Sequence, residues 1–286
     1  MILTWPVVLI VMVGALLHAS WNALIKSGTD KSLDTALIHV LGVFIAVPLV
    51  ATVGFPRAEA WPYAIASLVI HIGYYIALVG AYKHGELGLT YPIMRGLAPL
   101  LVACASTRFI GEGLRPLAWI GIVAVSLGVV TVGLSRSAAT SGHAGKALRY
   151  ALANAGIIAL YTVVDGLGVR ASGHPLSYVA TLFLFDGIPY FLIVLWQRRG
   201  GHPQVFAYMA GRWKFAAIGS LASLGSYGIA LWAMTRAPVA SVAALRETSV
   251  LFAAVIGALW LKEGFGAQRA AGTVLIVAGV MTLRLS

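Results

Sequence analysis

The sequence predicts an all-α integral membrane protein whose ten transmembrane helices form an inverted 5+5 repeat. Three observations carry that prediction. Apolar residues make up 60% of the 286-residue chain and charged residues only 10%, where soluble domains carry about 25% charged. Runs of about 17–25 largely apolar residues, the length that crosses a hydrocarbon core, recur along the whole chain between short polar knots. Residues 95–134 also repeat, without a gap, as residues 246–285.

The expected spans are 3–25, 33–54, 61–82, 87–107, 116–134, 147–169, 175–196, 214–235, 238–260 and 268–284. Backbone groups cannot stay unpaired in lipid, so such runs are helices; barrel strands would show about ten residues of apolar and polar alternation instead. The first run lacks a basic leader segment and is long enough to span, so it is kept as a helix rather than read as a cleaved signal. Pro92 and Pro99 interrupt the fourth span and Pro189 the seventh, and each is a plausible hinge or a static kink. Gly121 and Gly128 in the fifth span, and Gly272 and Gly279 in the tenth, lie seven residues apart on one face and mark packing seams.

Sliding the chain by 151 residues superimposes the segment from Arg95 on the segment from Arg246. Arg95 then meets Arg246, Glu112-Gly113 meets Glu263-Gly264, Gly121 meets Gly272, and Gly128 meets Gly279. The domains are therefore 1–134 and 146–286, joined by the Ser/Gly/Ala-rich linker 135–145. Five helices per half is an odd number, so the second repeat enters the membrane from the opposite side. That inversion is typical of secondary transporters.

These features carry a family resemblance. The ten spans, the 5+5 repeat, the opening HASWNALIKSGTDK, and a Gly-Glu-Gly or Lys-Glu-Gly turn nine residues before a helix glycine resemble the EamA-type branch of the drug/metabolite transporter superfamily. The resemblance covers nearly the whole chain. It implies transport of small metabolites, with export as the direction and cytoplasmic termini. Counting loop charges points the other way for the termini. Six Lys/Arg (Arg57, Arg108, Arg115, Arg170, Arg236, Arg284) fall on the face of the termini and twelve on the other, so the positive-inside rule expects the termini outside.

The net charge of +11 comes from Lys and Arg at span ends, not from one basic stripe, so headgroups and topology account for it and no nucleic-acid partner is expected. Cys104 is the single cysteine, which excludes an intrachain disulfide and a cysteine metal cluster. No phosphate loop, HExxH, CxxC or ATP-binding domain is present, so neither an enzyme, a cofactor nor a bound metal is expected. The expected partners are a small-molecule substrate and the lipid bilayer, with room for a homodimer. The expected location is the inner (plasma) membrane.

Ionisable residues deep in a span are costly, about 2.5–3.5 kcal/mol for Arg, Lys or Asp on insertion scales, and so nominate a site. Arg95 and Arg246, matched by the repeat, are placed to converge on an anionic substrate group near the midplane. The alternative is that each pairs with an internal carboxylate such as Glu247, Asp165 or Asp186. Those three carboxylates are the candidates for ion coupling, since a buried carboxyl exposed to two faces in turn can load and release a proton. Asp186 can equally cap backbone freed by Pro189.

Further polar positions form faces along helices. His18, Trp21, Asn22 and Lys26 share one face of the first helix, and Asn154, Tyr161 and Asp165 one stripe of the sixth. His71, Tyr74, Tyr75 and Tyr82 line the third, and Ser220, Ser223 and Tyr227 the eighth. Trp21, Asn22, His71, Tyr74, Tyr75, Tyr91, Tyr161 and Tyr227 join the two arginines as candidate substrate-binding residues. Aromatic rings with polar tips suit the apolar part of an amino acid or a cationic amine. Packing, cross-helix bonding and snorkelling of Lys26 are the competing roles. The reading is a secondary carrier of amino-acid-like zwitterionic or anionic compounds working by alternating access. A lipid-linked-sugar flippase is the second reading, and an integral-membrane enzyme acting on lipid phosphates the third.

Overall fold

The computed structural model describes residues 3–84, 87–133, 144–199, 201–259 and 266–286. Among the described residues every regular element is helical: α1 (Trp5–Lys26), α2 (Lys31–Val53), α3 (Trp61–His84), α4 (Leu87–Ala105), α5 (Pro116–Gly133), α6 (Ala144–Ala171), α7 (Pro175–Gln197), α8 (His202–Met234), α9 (Val239–Arg246), α10 (Ser249–Leu259) and α11 (Ala267–Leu285). Nine helical stretches among them are long and apolar enough to cross a membrane, α9 and α10 counting as one stretch over Val239–Ile256. The tenth expected span is the helix α11, which is not one of those nine. Most of the linker 135–145, and Glu263-Gly264, lie outside the described residues, and so does the Tyr82 side chain.

Local chemistry sets the boundaries. Proline opens α1, α7 and α8 at first-turn positions, where its missing N–H would have no helical partner anyway. The Asp30 carboxylate caps α2 by accepting from the Leu33 N–H at 3.1 Å. Gly54 ends the same helix at φ 75°, a left-handed conformation that a side chain would oppose. Two boundaries differ from expectation. α8 begins at His202, not near 214, and carries Arg212 and Lys214, which read as loop charges, in its third and fourth turns. At about 1.5 Å per residue this helix outruns the hydrocarbon core. The ninth span is interrupted by a turn at Glu247-Thr248.

Leu9, Val13, Phe44, Ile76, Leu221 and Val274 point outward, as apolar side chains do when lipid replaces water as the solvent. Helices pack in pairs across the two halves. α1 lies against α8 and α3 against α6; α4 packs on α6 and α1 on the α9–α10 pair; α2 meets α7, and α5 meets α11. Each pairing returns another member of the set when every span is exchanged for the one five places along.

The tightest of these contacts is the glycine seam. A Cβ at Gly121 would sit 2.9 Å from the Gly279 carbonyl oxygen, and one at Gly128 2.8 Å from that of Gly272. Backbone therefore touches backbone, and because the earlier glycine of α5 meets the later one of α11, the two helices run antiparallel. The termini share one end of the bundle: the Arg284 guanidinium lies 5.2 Å over the Trp5 ring, and Arg115 donates to the Ser286 carbonyl at 2.8 Å.

Candidate functional site

α4 carries Arg95 into the middle of the bundle, one turn after Tyr91 and one turn before Pro99. Pro99 has no N–H to give, so the Arg95 carbonyl loses its usual helical partner and the backbone there is polar as well. Arg95 Nε lies 3.0 Å from Glu247 Oε2, with side-chain exposures of 11% and 6%. The two form a buried ion pair set off the line of a hydrogen bond. Glu247 occupies the turn that separates α9 from α10, and Arg246 is the last residue of α9. The matched arginines thus both reach the centre, but only the second stands at a break in its helix.

The Arg246 guanidinium rests 5.4 Å above the Tyr227 ring. The Tyr227 hydroxyl donates to Asp165 Oδ2, and Tyr178 donates to Oδ1 at 3.0 Å. Asp165, fully buried on α6, also lies within reach of the Ser67 hydroxyl. His71 stacks on Tyr161 at 4.6 Å and turns its Nδ1 to the Ser67 carbonyl at 2.8 Å. Tyr74 meets Tyr161 edge-on at 6.1 Å. His18 faces both guanidinium groups from α1, and Tyr91 faces Arg95 and Glu247. The centre therefore holds two guanidinium groups and two carboxylates within a shell of aromatic hydroxyls.

A second polar cluster adjoins the first. Tyr75, whose ring meets Tyr74 at 5.4 Å, donates to Asp186 Oδ2 at 3.1 Å and lies 3.4 Å from His39 Nδ1. His39 is 3.8 Å from the same carboxylate oxygen, and Tyr190 packs on Tyr75 at 4.8 Å. This cluster lies between α2, α3 and α7, beside the centre on the side away from the termini.

The centre thus gathers Arg95, Arg246, Glu247, Asp165, His71, Tyr74, Tyr91, Tyr161 and Tyr227. Tyr75 and Asp186 belong to the neighbouring cluster. Two candidates stand apart: Trp21 packs against the apolar group around Leu33 and Ile38, and the Asn22 amide donates to the His18 carbonyl of its own helix at 2.8 Å. Among the alternatives open for Arg95, pairing with a carboxylate is the one realised, and Glu247 is the partner. The sequence reading missed His39, Tyr178 and Tyr190. His39 carried a usable signal, an ionisable ring inside the apolar run of α2. Among the described residues no three His, Cys, Asp or Glu side chains converge as a metal site would require.

Apolar helices closed around a charge-balanced polar interior define a multi-pass membrane protein. The EamA-like transporter family model matches residues 145–285, the whole described second half. The second half of the chain accordingly belongs to the EamA family, within the drug/metabolite transporter superfamily. One solved crystal structure aligns with a TM-score of 0.79 at 18% identity, covering 99% of this chain and 98% of that one, which establishes a shared fold over the first half as well. No curated protein matches the chain in sequence.

Proposed function

We propose that the protein is a secondary transporter that exports small amino-acid-like zwitterionic or anionic metabolites across the inner (plasma) membrane. In this reading it works by alternating access between two inverted repeats, and no chemical step is assigned to it. The observation that carries the proposal is the enclosed centre, where Arg95, Arg246, Glu247 and Asp165 bring two positive and two negative groups together inside the helix bundle. Such groups are expensive inside a membrane, and a solute bearing both charges matches them. The helix break at Glu247 supports the same reading, since discontinuous helices frame substrate sites in transporters.

The gapless repeat, the helix pairing under a five-span exchange and the antiparallel seam of α5 with α11 support the inversion. Asp165, Glu247 and Asp186 are the groups proposed to carry a coupling proton.

The test is uptake by purified protein in liposomes across a panel of amino acids, phosphonates and amines, with and without an imposed pH gradient. Amino acids or other oxyanions are expected to be carried, and the Arg95→Gln/Arg246→Gln double variant is expected to lose that uptake while staying monodisperse. Transport that survives the double variant, or no uptake of any class by wild type, refutes the proposal.

A further inference from the structure

The repeat makes Arg95 and Arg246 equivalent, and it makes the next two positions equivalent as well. There the halves differ: Gly96 stands in the first where Glu247 stands in the second. Arg95 has a fixed carboxylate 3.0 Å away on Glu247. The contact related by the repeat would ask Arg246 to meet a carboxylate at position 96, and glycine has none to give. Packing closes that position to larger residues. A Cβ on Gly96 would already lie 2.5 Å from Val130 Cγ2 and 3.1 Å from the Ser126 carbonyl oxygen of α5.

Nothing else among the described residues fills the role. No described carboxylate comes within 4.0 Å of Arg246, whose guanidinium contacts the face of Tyr227. Asp165 is held one ring away, tied by the hydroxyls of Tyr178 and Tyr227. Arg246 also borders a small enclosed space shared with Arg95, Tyr161, Thr162, Ala243 and Glu247. A half-buried guanidinium with a cation–π contact but no anion leaves most of its planar fork of donors without a strong acceptor among the described residues, and that fork fits a carboxylate in two parallel hydrogen bonds.

We infer that the two matched arginines have separate tasks: Arg246 receives the carboxylate of the substrate, while Arg95 holds Glu247 and positions the broken helix. The inference rests on the transporter reading above and deepens it, because it names the substrate's recognised group and the residue that reads it.

Binding measured without turnover tests this. Purified wild type, Arg246→Gln, Arg246→Lys and the Arg95→Gln/Glu247→Gln double variant are titrated by thermal melting with L-amino acids, their carboxamides and the matching decarboxylated amines, plus aminoalkyl phosphonates. Wild type should bind an acid about ten-fold or more tightly than its amide, the worth of a charge-assisted pair. Arg246→Gln should erase that ratio while remaining monodisperse. Arg246→Lys should restore part of it, since an ammonium supplies charge without the fork. The double variant should bind everything less tightly yet keep the acid-over-amide ratio.

Retention of the ratio in Arg246→Gln, or its loss in the double variant, overturns the inference and leaves the transporter reading standing. Wild type that prefers phosphonates to carboxylates overturns the assignment of the anion. A wild-type chain indifferent to acid and amide overturns the substrate class and this inference together.

Discussion

The two ends of the bundle are both closed by ion pairs, yet they are built differently. At the end that holds the termini, Glu112 accepts from Arg170 at 2.6 Å and from the Val239 N–H at 2.9 Å, so one carboxylate both pairs a charge and caps α9. Arg170 in turn donates to the Met234 carbonyl at 2.8 Å and the Ala237 carbonyl at 3.3 Å, binding the end of α6 to the α8–α9 connection. Much of this latch is backbone, which cannot change rotamer.

At the opposite end most of the contacts run between side chains, with Arg212 also donating to the Leu24 carbonyl and the Asp30 N–H to the Tyr208 hydroxyl, each at 3.2 Å. Asp34 meets Arg212 Nε at 3.0 Å and accepts from Tyr208 at 3.2 Å, while Asp30 meets Arg198 at 2.7 Å beside a cavity of about 550 Å³. The difference teaches which end yields first. Freeing the terminal end breaks the Glu112 cap on α9 and two carbonyl contacts of Arg170, whereas the opposite end gives up side-chain pairs and two longer backbone contacts beside space already present.

Arg170→Met is expected to have the largest effect. It leaves the Glu112 carboxylate without its cation and strips the Met234 and Ala237 carbonyls of a donor at one stroke. Removing one partner of a buried pair costs about 3–5 kcal/mol, and with Glu112 and Arg170 part-buried, at 12% and 19% exposed, the loss is expected toward the lower end of that range. The measurement is the melting temperature of the purified protein in detergent, read beside hydrogen exchange at the start of α9. A fall no larger than that of the opposite-end variants would erase the distinction between the two ends.

The same contrast explains what could be read from sequence. The spans were legible because lipid demands long apolar runs, and the arginines because the repeat aligns them without a gap. The latches were not, since Glu112 and Arg170 lie 58 positions apart, one in a connection and one at a helix end, where charge is ordinary. Arg212 even misled, because a charge three turns into α8 reads as loop until its buried partner Asp34 is seen. The break at Glu247-Thr248 was invisible for another reason: neither glycine nor proline marks it. At the centre, pairing of Arg95 with a carboxylate was among the readings the sequence left open. Choosing Glu247 over Asp165 or Asp186 needed the turn of the ninth span.

Asp34→Asn is expected to come second. The aspartate is 3% exposed, but the amide keeps an oxygen able to accept from Arg212 or Tyr208, so what is lost is the charge assistance, about 1.5–3 kcal/mol. The melting temperature should fall by less than for Arg170→Met, and hydrogen exchange should quicken at the starts of α2 and α8 while α9 keeps its protection. Loosening that spread to α9 would mean the two ends are coupled in this state, which the separate latches argue against.

Asp30→Asn is expected to do least. Its partner Arg198 is 43% exposed and water screens the pair, so its worth falls within the range of about 0–1 kcal/mol typical of surface bridges. The amide oxygen also preserves the acceptor that caps α2. The informative readout is salt dependence. Wild type should lose a little stability between low and high ionic strength, and the variant should lose less, because a screened pair is the only thing the substitution removes. If Asp30→Asn instead lowered the melting temperature as far as Arg170→Met, the opposite end would be as firmly closed as the terminal one. The ease of opening would then have to be sought in the helices themselves, at Pro48 of α2 or Pro189 of α7, rather than in the pairs that close the mouth.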